Sequence, residues 1–322
     1  MDRVPYPAYP RVSRYNSYET MHSLETLLAN RVSSLQRSQE DNAEVNTHLR
    51  DIAVWLRRAP FSTGMAVYTQ GSVRLGTSIS PVARSGFDAD LVCQLPRYAW
   101  ESCPSAMFEM VGGHLLQLPG FQGAVKRKRR CWTLVYSPRF HVDVTPAIIH
   151  ERSPGEEVWV FDGPSQDWRI SNPVAYASWF QAKQNSAICS SAAPLVAAVQ
   201  LLKRRRDLLF DSPDAPNSIV LTTLAASLYS GEQTIVATLS KVIRGMLAVA
   251  DALGSRMAVA NPVNPSEVFS ENWTGNAAAA KLFSRYLKDL QTRLARTEIT
   301  KHQHRAAWQL DELFGARCGS LN

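Results

Sequence analysis

A glycine-rich turn followed by two carboxylates on a strand sets the narrowest limit on what this chain can become. The turn is Gln70-Gly71-Ser72-Val73-Arg74-Leu75-Gly76-Thr77, and the strand is Phe87-Asp88-Ala89-Asp90-Leu91-Val92. In extended backbone, residues i and i+2 face the same way, so Asp88 and Asp90 project together. Neighbouring carboxylates repel unless a cation lies between them. A hard divalent ion that shares its oxygen ligands with substrate phosphates, magnesium above all, answers that need. The chemistry such a pair serves is phosphoryl or nucleotidyl transfer.

A third acid follows in Phe140-His141-Val142-Asp143-Val144-Thr145-Pro146. Val142 and Val144 alternate with His141, Asp143 and Thr145, the pattern of a half-buried strand. Set beside the first strand, it would bring three acids onto one face of a sheet. Two divalent ions there can clamp the attacking and leaving oxygens of an in-line displacement. Each piece alone has an ordinary explanation: an Asp-x-Asp pair as a solvated turn, a Gly-Ser pair as a plain loop. Their order, with apolar strand residues around each acid, sets them apart.

With 322 residues, 45% of them apolar and 20% charged, the chain is long enough for two lobes or one large domain of ordinary globular composition. It contains no apolar run of transmembrane length, and its N-terminus lacks the apolar core of a signal peptide, so a cytoplasmic protein is expected. Cys93, Cys103, Cys131, Cys189 and Cys318 are scattered without metal-ligand spacing and read as reduced thiols. The net charge of +7 suggests an anionic partner, which nucleotides satisfy as well as nucleic acid does. Much of it sits in Lys126–Arg130 and Lys203–Arg206. The first run reads as a solvated edge without the interleaved aromatics of a strand-binding platform, so stable nucleic-acid binding is not expected.

Periodicity divides the chain into an extended proline-bearing arm over 1–16, a mixed region over 17–170 and a helical lobe over 171–322. Leu24, Leu27, Leu28, Leu35, Val45, Leu49, Ile52 and Leu56 favour long helix between Ser17 and Arg58, with Gln36–Asn46 either exposed or a break. Strands are expected over Met65–Thr69, Ala89–Leu95, Cys131–Tyr136 and Phe140–Val144, and a helix near Ala106–Leu118. Residues 151–172 read as a loop-rich crossing. Helices then follow at Val174–Asn185, Pro194–Phe210, Ser218–Ser230, Gln233–Leu253 and Ala277–Phe314.

The turn, Asp88-Ala89-Asp90 and Asp143 resemble the nucleotidyltransferase signature of the DNA polymerase β-like superfamily. Asn172-Pro173 running to Trp179-Phe180, Gln200-Leu201-Leu202-Lys203-Arg204, Ser218-Ile219-Val220-Leu221 and Asn261-Pro262 with Trp273 narrow the resemblance. The series is similar to the bacterial CD-NTases, relatives of cyclic GMP–AMP synthase, over roughly residues 20–315. One departure is the longer stretch between Ser72 and Asp88, which holds Pro81 and an Ala83–Gly86 turn. The resemblance implies an α/β (α+β) fold: a polymerase β-like palm with a mixed sheet, a long N-terminal helix and a C-terminal helical lobe.

It also implies a synthase of cyclic di- or trinucleotide signals for antiphage (CBASS) defence, using two Mg2+ ions with Mn2+ as a substitute. Substrates would be nucleoside triphosphates, ATP among them and GTP, UTP or CTP as others. The product would act on a downstream effector, and a regulatory protein partner belongs to the same expectation. Asp88, Asp90 and Asp143 would hold metal, the last also helping to deprotonate the attacking hydroxyl. Gly71 and Ser72 would take the triphosphate. Lys203 is either a triphosphate contact or one member of an exposed basic run, and Ser218 either a nucleotide contact or a helix cap, a role open to Asn217 as well. Tyr68, Trp132, Trp179 and Trp273 could stack on a base, although core packing accounts for most such residues. Rival readings are an RNA-tailing enzyme using the Lys126–Arg130 run, a transferase acting on a small-molecule or protein hydroxyl, and a non-catalytic nucleotide sensor.

Overall fold

Alternation builds the strand at the centre of the molecule. In β2 (Phe87–Leu95), Ala89, Leu91, Cys93 and Leu95 are buried on one face while Asp88 and Asp90 occupy the other. The strand pairs in parallel with β5 (Phe140–Ile149), in a register that puts Asp88 beside His141 and Asp90 beside Asp143. This pair lies inside a seven-stranded mixed sheet whose other pairings are antiparallel. β1 (Ala66–Gln70) flanks β2; β4 (Trp132–Ser137) and then β3 (Ala124–Arg127) extend the other side. The end of β5 pairs with β6 (Val158–Asp162), which turns into β7 (Asp167–Ser171). The computed structural model describes residues 14–82, 86–97, 100–138, 140–149, 157–186, 193–210, 215–273 and 275–315.

Two helices cover the sheet face opposite the acids. α2 (Gln39–Arg57) contributes Val45, Leu49, Ile52 and Leu56, and α4 (Pro104–Leu115) contributes Met107, Phe108, Val111 and Leu115. Burying each of these large side chains contributes roughly 1.5–3 kcal/mol. A second, larger core is mainly helical. It joins α1 (Arg14–Ser34), α5 (Pro173–Gln184), α6 (Pro194–Leu209), α7 (Ser218–Leu228), α8 (Ile235–Leu253), α9 (Ala277–Glu298) and α10 (Gln303–Phe314). Leu75 and Ile79, just past the Gly-Ser turn, are buried in this helical core rather than against the sheet. The turn therefore bridges the two cores.

The structure settles several elements. Of the two outcomes left open for Gln36–Asn46, the break is the one found: Ser17–Arg58 forms two helices, and Ser38 Oγ accepts from the Asp41 amide at 2.9 Å and so caps α2. Ala277–Phe314 likewise splits at 299–302. Of the 151–172 crossing, the described part is the β6–β7 hairpin, whose turn holds Gly163 and Pro164. A short hairpin, β8 (Ala260–Asn261) with β9 (Asn264–Val268), lies within the helical region. Residues 1–13 of the arm, the Ala83–Ser85 part of the inserted turn, Cys189 and Cys318 lie outside the described residues. Among the described residues, no helix is long and apolar enough to cross a membrane, and Cys93, Cys103 and Cys131 are free thiols.

Candidate active site

The seven residues that the sequence assigns to metal or triphosphate and nucleotide contact, Gly71, Ser72, Asp88, Asp90, Asp143, Lys203 and Ser218, line a single cavity of about 510 Å³. β1 ends at Gln70 and the chain turns at once into the five-residue helix α3 (Gly71–Leu75), with Gly71 at a φ of +61° and the closing Gly76 at +69°. A side chain on Gly71 would place its Cβ 2.3 Å from Asp90 Oδ2. The glycine thus serves both the left-handed backbone and the close approach to the carboxylate. Ser72 Oγ lies 3.1 Å from Ser78 Oγ, which donates to it across the turn.

The strand register does for the acids what the alternation predicts, putting all three on one face. Asp90 is the most burdened. Burial first, then the charges of Asp143 and Asp88, push its carboxyl up to about 7. Asp143 accepts from Lys128 Nζ at 3.2 and 3.3 Å and from Thr133 Oγ1 at 2.5 Å. The Asp88 side chain is 61% exposed, 3.3 Å from His141 Nδ1.

This donor set, carboxylate oxygens under mutual repulsion, suits a hard divalent cation. As the side chains stand, however, no group of three or more His, Cys, Asp and Glu among the described residues is assembled to hold a metal. Asp143 is turned to Lys128 and Thr133, and Asp88 to His141.

The Lys126–Arg130 run lies along a solvent-exposed edge of the sheet, as the sequence suggested, but four of its side chains have acidic partners. Arg127 bonds Glu109, Lys128 reaches Asp143, and Arg129 and Arg130 both bond Asp162, which is 1% exposed. Lys128 and Thr133 were missed because only the pairing of β4 with β5 brings them to Asp143.

Lys203, by contrast, is not an exposed member of its run; it is 5% exposed. Its Nζ donates to Thr77 O at 3.1 Å and Thr77 Oγ1 at 3.0 Å. Burial, and then Arg206, lower its ammonium to about 8. Ser218 accepts from Arg206 Nη2 at 3.0 Å, while the N-cap of α7, Asn217, makes no side-chain cap bond. Trp132 and Trp273 are core residues, packed on Phe108 and Phe283 respectively. Trp179 packs on Tyr176, and Tyr68 bonds Gln94.

A second cavity of about 280 Å³ adjoins the first. The two share Gly71, Leu75, Asp90 and Ile219 as a common wall. The first is edged with hydroxyls and cations. The second has apolar walls, including Val92, Val158 and Val160, with Arg130, Arg169 and Glu267 among its polar groups.

The family model described as "Second Messenger Oligonucleotide or Dinucleotide Synthetase domain" (SMODS) matches residues 21–185, which include the turn and all three acids. The chain belongs to the SMODS family. A relative from Roseivirga ehrenbergii described as a c-di-GMP synthase is 29% identical over 291 residues, covering 83% of this chain and 77% of that one. In fold, this SMODS protein is similar to the Bradyrhizobium diazoefficiens CD-NTase CdnG, solved in complex with GTP. The TM-score is 0.74 at 21% identity, over 91% of this chain and 96% of that one. It is also similar to CdnC of Escherichia coli MS115-1, solved in complex with HORMA-deltaN. There the TM-score is 0.68 at 12% identity, over 94% of this chain and 98% of that one. The α/β palm, mixed sheet and helical lobe are thus those of the CD-NTases, and the family to which the chain belongs is one of second-messenger oligonucleotide or dinucleotide synthetases.

Proposed function

We propose that this protein joins two nucleoside triphosphates into a cyclic dinucleotide, releasing pyrophosphate at each of the two joining steps. The observation that carries the reading is the pair of chambers with Asp90 and Gly71 as their common wall. A triphosphate tail in the polar chamber would meet Ser72, Lys203 and Arg206. A second nucleoside next door would present its ribose hydroxyl to the same carboxylates. Holding both reactants at one wall converts a bimolecular encounter into a local one.

Asp88, Asp90 and Asp143 would hold magnesium, or manganese in its place, which when bound supplies charge neutralisation for the phosphates and acidifies the hydroxyl. The 2′ or 3′ oxygen bonds to the α-phosphorus, the α–β bridging bond breaks and pyrophosphate leaves. The hydroxyl proton passes through Asp143 to water. The linear intermediate then turns and closes by the same chemistry. ATP and GTP are both substrates under this reading, and the cyclic product would signal to an effector in antiphage defence. The HORMA complex of the E. coli relative supports extending the proposal to a regulatory protein partner.

An RNA-tailing reading would have to use the Lys126–Arg130 run as its groove, and four residues of that run would then have to share their charge with the acids they already pair with. The deciding experiment incubates the full chain with four triphosphates and Mg2+ or Mn2+, treats with phosphatase, and weighs what resists by mass spectrometry. A phosphatase-resistant cyclic dinucleotide is expected. Absence of pyrophosphate release, or only phosphatase-sensitive linear products, overturns the proposal.

A further inference from the structure

The second chamber carries one carboxylate with no place in the chemistry just described. Glu267 lies on β9, half-buried, and both of its oxygens are already oriented. Ser171 Oγ on β7 donates to Oε1 at 3.0 Å, and Asn261 Nδ2 on β8 donates to Oε2 at 2.7 Å. A carboxylate offers about four acceptor positions, so two remain. The group is fixed rather than loose, and it lines the chamber together with Tyr176, Phe269 and the valines of the sheet face. Arg130 and Arg169 line the same space, and Arg130 is itself held by Asp162 at 2.8 Å.

We infer that this chamber selects guanine, with Glu267 accepting both N1–H and the 2-amino group. Apolar walls such as Val92, Val158, Val160 and Phe269 offer no hydrogen bonds that tell one base from another, so selectivity must come from the polar groups among them. Guanine alone among the common bases sets two donors side by side on that edge, matching the two oxygens of one carboxylate. Adenine and cytosine each present one amino group next to a ring nitrogen acceptor, which would face the carboxylate lone pair to lone pair. Uracil offers a single donor between two carbonyls. An arginine beside the carboxylate supplies the donor that guanine O6 requires. A site built around such donors rejects bases that lack them, because its own acceptors are then left unpaired.

This inference rests on the proposed nucleotidyl transfer, and its test separates the two. Wild type and Glu267→Gln are given equimolar GTP, ATP and inosine triphosphate, which differs from GTP only in lacking the 2-amino group. Phosphatase-resistant products are weighed. Wild type is expected to incorporate guanine in preference to both competitors. Glu267→Gln should keep turning over while its guanine preference falls roughly tenfold to a hundredfold. A role confined to tying β7 to β9 would lower the melting temperature and total turnover without changing base composition.

Equilibrium titration with non-hydrolysable GTP and ATP analogues decides the matter even without turnover. The variant should lose affinity for the guanine analogue and keep it for the adenine one. Unchanged guanine preference in the variant, or a guanine-free wild-type product, overturns the inference and leaves the cyclase reading intact. Failure of wild type to release pyrophosphate from any mixture overturns the cyclase reading instead.

Discussion

A methyl group on Gly71 would sit 2.3 Å from Asp90 Oδ2, so the turn and the central acid have no room to spare between them. That crowding belongs to a site arranged for something other than stability. Asp90 is half-buried beside two like charges, and its carboxyl at about 7 compares with roughly 3.9 in an unfolded chain. Between those values the folded protein holds the extra proton, so stability falls as pH rises from about 4 to 7. Above pH 7 the cost is fully present. Asp90→Asn removes it while nearly preserving shape. In metal-free buffer at pH 8 the variant is expected to be more stable by ~1–2 kcal/mol, read as a higher thermal midpoint. Its pyrophosphate release should fall at least a thousandfold, since charge stabilisation is the main source of catalysis in such transfers. A variant that melts lower than wild type, or that keeps its turnover, contradicts this account of Asp90.

At the level of elements, α6 does the work of a clamp. Gln200, Lys203 and Arg204 fall on one helical face. They bond in order to the carbonyls of Gly76 and Ser78, to Thr77, and to the carbonyl of Ser80. The helix thereby fixes the loop that follows the Gly-Ser turn. The ammonium of Lys203, at about 8, gives this clamp a pH signature. Triphosphate affinity of the wild type should decline as pH rises through about 8, and Lys203→Met should bind more weakly and show no such step. Stability moves the other way: the unfolded chain binds more protons between about 8 and 10.4, so wild-type stability rises with pH there and the variant's does not. Titrations and melts across pH 7–10 check both signs.

Elements with strict alternation or apolar periodicity were legible in the sequence, β2, β5, α6 and α7 among them. Those that reach their partners only through the sheet were not. Charge masks β3, an edge strand on which Lys126 and Arg127 discourage further pairing. Gly163 and Pro164 marked a loop where they make the turn of a hairpin. The acids, Gly71 and Ser72 could be found because each carries a local pattern. Lys128, Thr133 and Glu267 could not, since register and hairpin docking bring them to the site and no spacing encodes either.

Across the whole molecule, the Gly71–Ser72 turn is where two hydrophobic cores are sewn together. Its glycine touches the sheet's acid, while Leu75 and Ile79 are buried in the helical core. A nucleotide seated against this turn would meet groups from both lobes, Asp90 on one side and Lys203 and Ser218 on the other. Ligand binding should therefore stabilise the lobes jointly, by RT ln(1 + [L]/Kd), rather than either alone. Calorimetry of the wild type is expected to show one unfolding transition that moves upward as GTP and Mg2+ are raised. Leu75→Ala empties part of the helical core at the seam and should cost ~2–4 kcal/mol. Because it also loosens the exit of the turn, the variant should gain less from the same ligand concentration than the wild type does. Two separable transitions, with only the helical one responding to nucleotide, would mean that the turn does not couple the lobes.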